Sequence, residues 1–163
     1  REKAIGIHEI HMEEDAGKMV HIGGDEGRIA GATHSLVDYN RAGTPLIELV
    51  TEPDLRTPEE ARLFMQKLRQ IYLAIGISDC SMEEGSMRCD VNLSVRRPGE
   101  PFGTRPEIKN VNSIRFVLMA ADYAAARQVE AIEGGGKIVQ ETRLWDTKNL
   151  VTRAMRSKED AHD

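Results

Sequence analysis

Thr57-Pro58-Glu59-Glu60-Ala61-Arg62-Leu63-Phe64-Met65-Gln66-Lys67-Leu68-Arg69-Gln70-Ile71-Tyr72-Leu73-Ala74-Ile75-Gly76 is the stretch on which the fold turns. Thr57 and Glu60 have the spacing of a capping box: the Thr hydroxyl can accept an amide hydrogen of the first turn while the Glu carboxylate reaches back. Pro58 takes the first helical position, where no amide hydrogen is needed. Ala61, Phe64, Met65, Leu68, Ile71, Tyr72 and Ile75 then recur at threes and fours as one apolar stripe, and Gly76 supplies a left-handed stop. A helix of this kind needs an apolar partner surface.

The partner is expected just downstream. From Arg88 to Arg96 the chain alternates, with Cys89, Val91, Leu93 and Val95 facing one way and Arg88, Asp90, Asn92, Ser94 and Arg96 the other, the pattern of a strand with one packed face. Arg105–Val111 and Lys137–Trp145 are further strand candidates, and Val151–Met155 a weaker one. A second helix is expected after Ser113 as N-cap, burying Ile114, Val117, Leu118, Ala121, Ala125 and Ile132 and ending at Gly134-Gly135-Gly136. Upstream, Ala4–Met12 has a period of two that changes phase near Glu9, a strand with a bulge. The glycines at 23, 24, 27 and 31 mark a loop or loose hairpin before the short apolar pieces Leu36-Val37 and Leu46-Ile47. Strand, helix, two strands, helix and two strands predict an α+β fold, an antiparallel sheet with helices packed on one face.

Composition narrows the function classes. At 163 residues with 40% hydrophobic and 30% charged side chains, the chain has the balance of a globular domain. Its longest apolar run, Phe116–Ala121, is far too short to cross a bilayer, so no membrane role is expected. A net charge of −5 is the wrong sign for holding nucleic acid by bulk electrostatics, so any RNA contact must be local. Cys80 and Cys89 have neither zinc spacing nor a disulfide framework around them, which suggests a reducing, cytoplasmic setting. A start at Arg1 and an end on Ser157–Asp163 without a closing element suggest a piece of a longer protein.

The sequence offers no G-x-x-x-x-G-K-[ST], G-x-S-x-G, H-E-x-x-H or G-x-G-x-x-G. Carboxylates on strands remain. In His8-Glu9-Ile10-His11-Met12-Glu13-Glu14-Asp15, alternation puts His11, Glu13 and Asp15 on one face and Glu14 beside Ile10 and Met12. A carboxylate among apolar neighbours needs a partner such as a hard cation, although an acidic strand end running into solvent looks the same. Glu48, between Ile47 and Leu49, is a similar case. The polar face of the Arg88–Arg96 strand, led by Glu83-Glu84-Gly85-Ser86, offers what a nucleotide and Mg²⁺ would use. Glu107, Lys109 and Val111 are expected on one face, as are Glu141 and Arg143, with ion pairing across strands as the plain structural explanation.

Five strings resemble one family in its order: His11-Met12-Glu13-Glu14-Asp15-Ala16-Gly17-Lys18, Asp38–Glu48, Met82–Asn92, Glu107-Ile108-Lys109-Asn110-Val111-Asn112-Ser113 and Gln140-Glu141-Thr142-Arg143. The family is the B subunit of the aspartyl/glutamyl-tRNA amidotransferase. The resemblance implies the middle and C-terminal part of its catalytic cradle domain over residues 1–163, with a fold similar to the glutamine synthetase catalytic sheet. The family's first metal-binding strand and its C-terminal helical and tail domains would lie outside this sequence.

The resemblance also implies an ATP-dependent carbon–nitrogen ligase with glutamine as amido donor. ATP and Mg²⁺ would be used to phosphorylate the side-chain carboxylate of Glu on tRNA(Gln) or Asp on tRNA(Asn). Ammonia from a partner amidase would then displace the phosphate. The implied partners are the A and C subunits of a heterotrimer and the misacylated tRNA. By motif, Glu48 and one of Glu13 and Glu14 would hold metal; Asp90, Glu107 and Glu141 would serve the ATP-linked metal; and Ser86, Arg88, Asn92, Lys109 and Arg143 would contact phosphate and substrate. The alternative is a non-catalytic structural or tRNA-docking domain of the same complex. With its first metal strand missing, the piece alone is expected to be inactive.

Overall fold

A computed structural model describes residues 2–23 and 31–155, which fall into two units, residues 1–54 and 55–163. The expectations for the middle of the glycine-rich loop and for Ser157–Asp163 lie outside the described residues.

In the first unit, β1 (Ile7–Glu14) pairs antiparallel with β4 (Pro45–Thr51), and β2 (Lys18–Ile22) pairs antiparallel with β3 (His34–Asp38). The sequence pattern shows one strand here, and the structure has four. The phase change near Glu9 is a bulge, since the β1–β4 register shifts between Ile7 and Glu9. Beyond it, His11 faces Glu48, Met12 faces Ile47 and Glu13 faces Leu46. Directly opposed residues share a face of an antiparallel pair, so Glu9, His11, Glu13 and Glu48 lie on one side and Ile10, Met12, Glu14 and Ile47 on the other. Every residue of β1 is exposed, Met12 by 88%. Asp54 ties down the start of β1 by accepting the Gly6 N–H at 2.8 Å.

The second unit holds α1 (Pro58–Ile75), β5 (Cys89–Asn92), β6 (Glu107–Val111), α2 (Ile114–Glu133), β7 (Thr142–Asp146) and β8 (Val151–Ala154). α1 has the expected bounds. The Thr57 hydroxyl accepts the Glu60 N–H at 3.1 Å, while the Glu60 carboxylate reaches one residue further than a simple capping box, to the Arg56 N–H at 2.6 Å. Gly76, at φ 72°, closes the helix as Ile77 N–H donates to Tyr72 O. Its stripe does not lie flat on the sheet as the alternation suggests. Met65, Leu68 and Tyr72 pack instead with Cys80, Met82, Met87 and Ile114, and reach the sheet at Cys89.

α2 buries Val117, Ala120, Ala121, Ala124 and Gln128, a face rotated from the expected one, and Ile132 is exposed. Alanine lets the helix approach closely, so the small side chains mark the contact line. Ile108, Val111 and Trp145 from the sheet fill the main core with Val117, Ala120 and Ala124. Trp145 meets Phe116 and Tyr123 at ring-centroid distances of 6.2 Å each.

The sheet runs β5-β6-β7-β8. The fold is α+β as expected, with antiparallel pairs throughout except β6–β7, which is parallel because α2 carries the chain across the sheet between them. Two departures shape the sheet. First, Cys89 faces Val111 while Val91 faces Ile108, so β6 carries one extra residue against β5. Asn110 absorbs it at φ 65°, a conformation that Asn tolerates, and its side-chain amide donates to Trp145 O at 3.0 Å. Val111 therefore turns into the core instead of sharing a face with Glu107 and Lys109. Second, the Arg88–Arg96 strand stops at Asn92. Pro106 lies next along the neighbouring strand and has no amide hydrogen to continue the ladder. Buried Gln128 fills the gap: its side chain donates to Leu93 O at 2.8 Å and accepts the Val95 N–H at 3.2 Å.

Candidate functional site

The bulge at Asn110 sorts the polar residues of the second unit. α2 covers the face carrying Ile108, Val111 and Trp145, and Cys89 and Val91 pack toward the same core. Asp90, Asn92, Glu107 and Lys109 consequently share the face opposite α2. Lys109 Nζ lies 3.1 Å from the Asp90 carboxylate and 3.5 Å from that of Glu107. The Asp90 carboxylate, first by hydrogen bonding and then by its charge, holds the Lys109 ammonium above its ordinary pKa, aided by Glu107. Thr142 donates to Glu107 at 3.3 Å from the next strand. Three expected residues thus form one connected patch, two anionic oxygen donors bridged by a cation, with the Asn92 amide on the same face.

Glu141 and Arg143 do not join that patch. Arg143 lies on the helix side with Trp145, its side chain 12% exposed, and its guanidinium bonds Glu141 at 2.6 Å, Thr152 Oγ1 at 2.7 Å and Thr152 O at 2.9 Å. Glu141 also takes Arg127 of α2 at 3.3 Å. Ion pairing is expected from the sequence across adjacent strands, and it runs instead within residues 141–143 and to α2. Ser86 and Arg88 precede β5 and are exposed. The Ser86 hydroxyl bonds the Asp79 carboxylate and is the first cause of its lowered pKa, followed by the Ser81 N–H.

The first unit has its own cluster. On the β1–β4 face shared by Glu9, His11, Glu13 and Glu48, a hydrogen bond with Glu13, then desolvation and the Glu13 charge, hold the Glu48 carboxyl above the usual carboxylate range. His11 Nε2 bonds Glu9 at 3.1 Å and is pushed above its ordinary pKa mainly by that bond. Two carboxyls sharing a face, with Glu13 disfavouring the ionised form of Glu48, suit a divalent hard cation. Glu14, opposite Pro45, faces the other way and takes no part. Among the described residues, no group of three His, Cys, Asp or Glu side chains stands close enough to hold a metal ion. Two carboxylates with phosphate oxygens and water are nevertheless a common Mg²⁺ shell.

Three features lie outside the expectations from sequence: Gln128 behind the β5 loop, the left-handed Asn110, and an Arg–Phe stack in the loop 93–106, where Arg96 lies 4.1 Å from the Phe102 ring centroid and Arg56 lies 5.8 Å away. A polar residue on the apolar face of α2 could have flagged Gln128. Burial pushes the Cys89 thiol up to about 12, so it is no nucleophile at neutral pH.

No helix among the described residues is long and apolar enough to cross a membrane. The chain is 59% identical over 162 residues to the B subunit of the aspartyl/glutamyl-tRNA(Asn/Gln) amidotransferase from Carboxydothermus hydrogenoformans, covering 99% of this chain and 33% of that protein. The proteins of the same name from Synechococcus sp. strain CC9902 and Caldicellulosiruptor saccharolyticus are 58% identical over 162 residues (99% of this chain, 32% of theirs) and 56% identical over 164 residues (100% of this chain, 33% of theirs). The chain thus spans about a third of the length of the curated relatives it matches. The GatB/GatE catalytic domain family matches residues 1–163, and the chain belongs to that family.

Proposed function

We propose that this chain is the carboxylate-activating part of a tRNA-dependent amidotransferase, an ATP-dependent ligase that takes its nitrogen from glutamine and works in the cytoplasm with A and C subunits. In this reading it transfers the γ-phosphoryl group of ATP to the side-chain carboxylate of Glu on tRNA(Gln) or Asp on tRNA(Asn), and ammonia from the amidase subunit displaces the phosphate to give the amide. The observation that carries the reading is the patch in which Lys109 bridges Asp90 and Glu107 on the sheet face opposite α2.

Phosphoryl transfer to a carboxylate brings two anions together, and catalysis is mostly positioning and neutralisation of charge. Lys109 is suited to a phosphate oxygen, Asn92 to a hydrogen bond beside it, and Asp90 and Glu107 to the nucleotide-linked Mg²⁺. In the first unit, Glu13 and Glu48 are the pair suited to Mg²⁺, sharing a face that Glu14 does not. Bound Mg²⁺ would supply positive charge against the phosphate oxygens. Arg143 and Glu141 brace β7 and its neighbour β8 from the helix side instead of touching substrate.

The test is Asp90→Asn in the full-length subunit within its complex. ATP-dependent amidation should fall by about 100-fold or more, the size of loss expected when transition-state charge loses a fixed partner, while glutamine hydrolysis at the amidase survives. Amidation at the wild-type rate would remove Asp90 from the chemistry.

A further inference from the structure

The loop 93–106 carries Arg96, Arg97 and Arg105 against a single acidic residue, Glu100, in a chain of net charge −5. Among the described residues no carboxylate pairs with the guanidinium of Arg96, Arg97 or Arg105. The Glu100 side chain is spent on the Arg97 backbone N–H at 3.2 Å, and its carbonyl accepts from Arg96 at 2.6 Å. Phe102 stands in the same loop with 54% of its surface exposed and Arg96 4.1 Å from its ring centroid. An exposed ring beside unneutralised guanidinium groups offers stacking and phosphate contact together, the combination by which proteins hold single-stranded nucleic acid.

The loop is also held in shape. Pro98-Gly99 forms a tight turn, with Gly99 at φ 87° and the Glu100 N–H on Arg97 O at 3.1 Å. Gln128 fixes the backbone at Leu93 and Val95. A Cβ at Gly103 would come within 2.9 Å of Val95 O, so the two arms of the loop close on each other there. Charges held in advance cost less entropy when a ligand arrives.

We propose that this loop is a contact surface for the single-stranded 3′ end of an RNA, one base stacking on Phe102 and the adjoining phosphates meeting Arg96, Arg97 and Arg105. This rests on the reading that the chain acts on a tRNA-borne substrate, and it names the residues that would hold the end of that tRNA. Duplex RNA fits less well, because paired bases present no open ring face to Phe102.

The probe is a 5′-fluorescein acceptor-stem RNA hairpin ending in a single-stranded A-C-C-A, compared with the blunt hairpin. Binding to the full-length subunit in its complex is read by anisotropy across a salt series without ATP. Phe102→Ala should weaken the overhang probe by roughly 5- to 150-fold, the range for one lost stacked base, with Phe102→Trp restoring it. Arg96→Ala with Arg97→Ala should lower the slope of log affinity against log salt by about 1.4, at about 0.7 for each phosphate contact with a single strand. The blunt hairpin should be indifferent to Phe102→Ala. Unchanged affinity and slope would overturn the proposal. So would equal losses on both hairpins, which would mark a duplex site. Because no ATP is present, failure of the carboxylate-activation reading, seen with Asp90→Asn, leaves this result independent.

Discussion

Gln128→Leu isolates one side-chain amide as the element that holds the loop after β5. Leucine has nearly the volume of glutamine, so the substitution at this 2% exposed position opens little cavity and removes mainly the two hydrogen bonds, at 2.8 Å to Leu93 O and 3.2 Å from the Val95 N–H. Each stranded backbone group in such a setting costs about 1–3 kcal/mol. Leu93 and Val95 are half-buried, so water reaches them in part and the lower half of that range applies, for a total of about 2–4 kcal/mol. A shift in the urea midpoint at constant slope measures the global part. Hydrogen exchange at Val95 measures the local part, and its amide should exchange roughly 30- to 1,000-fold faster at about 1.4 kcal/mol per tenfold. Gln128→Glu should do no better, since it keeps the acceptor for Val95 but turns a carboxylate toward Leu93 O. A loss below about 0.5 kcal/mol with Val95 protection unchanged would refute the claim that this amide stands in for a missing strand.

Asn110→Val should destabilise the second unit by about 1–3 kcal/mol, because a β-branched residue resists φ 65° and the bond to Trp145 O is lost, whereas Asn110→Gly should lose mainly the bond; equal losses in urea titrations would count against the bulge as the cause. His8, bonded to Glu52 at 2.9 Å, has its pKa raised above the ordinary 6.5, by that bond first and by the Glu52 charge next. Its contribution to stability is therefore fully present below pH 6.5 and lost as pH rises through the raised folded value. An NMR titration of the His8 ring should show a midpoint above 6.5 that returns toward 6.5 in Glu52→Gln, and an unmoved midpoint would dismiss the pair.

The helices were legible because their signals are local. Thr57, Pro58, Glu60 and Gly76 act within one turn of where they stand, and Ser113 caps α2 by accepting the Phe116 N–H at 3.1 Å. The strands were less legible because their limits depend on neighbours. Nothing between Arg88 and Arg96 announces that Pro106 will end the ladder, and nothing in Glu107–Val111 announces that Asn110 will take a left-handed turn. The candidate site follows the same division. Lys109 beside Asp90 and Glu107 could be expected from alternation. The placement of Glu141 and Arg143 on the far side of the sheet depends on the parallel register of β6 with β7, which no local pattern encodes. Glu13 separates from Glu14 only once β4 is known to be the partner of β1.

The crossover through α2 also sets an order of assembly. Glu107 and Thr142 pair 35 residues apart, whereas Asp146 and Val151 meet across a tight turn. With closure entropy growing as the logarithm of loop length, the long connection costs about 3 kcal/mol before β6 and β7 gain a contact, against about 1.4 kcal/mol for the hairpin. The β7–β8 hairpin and α2 can therefore form early, while the β5–β6 pair, which by itself holds Asp90, Glu107 and Lys109, docks onto β7 late. Pulsed hydrogen exchange would read this as protection of Asp146 and Val151 before Glu107. Until that late step, a chain emerging from the ribosome carries its polar patch on a hairpin whose β6 edge still lacks its partner.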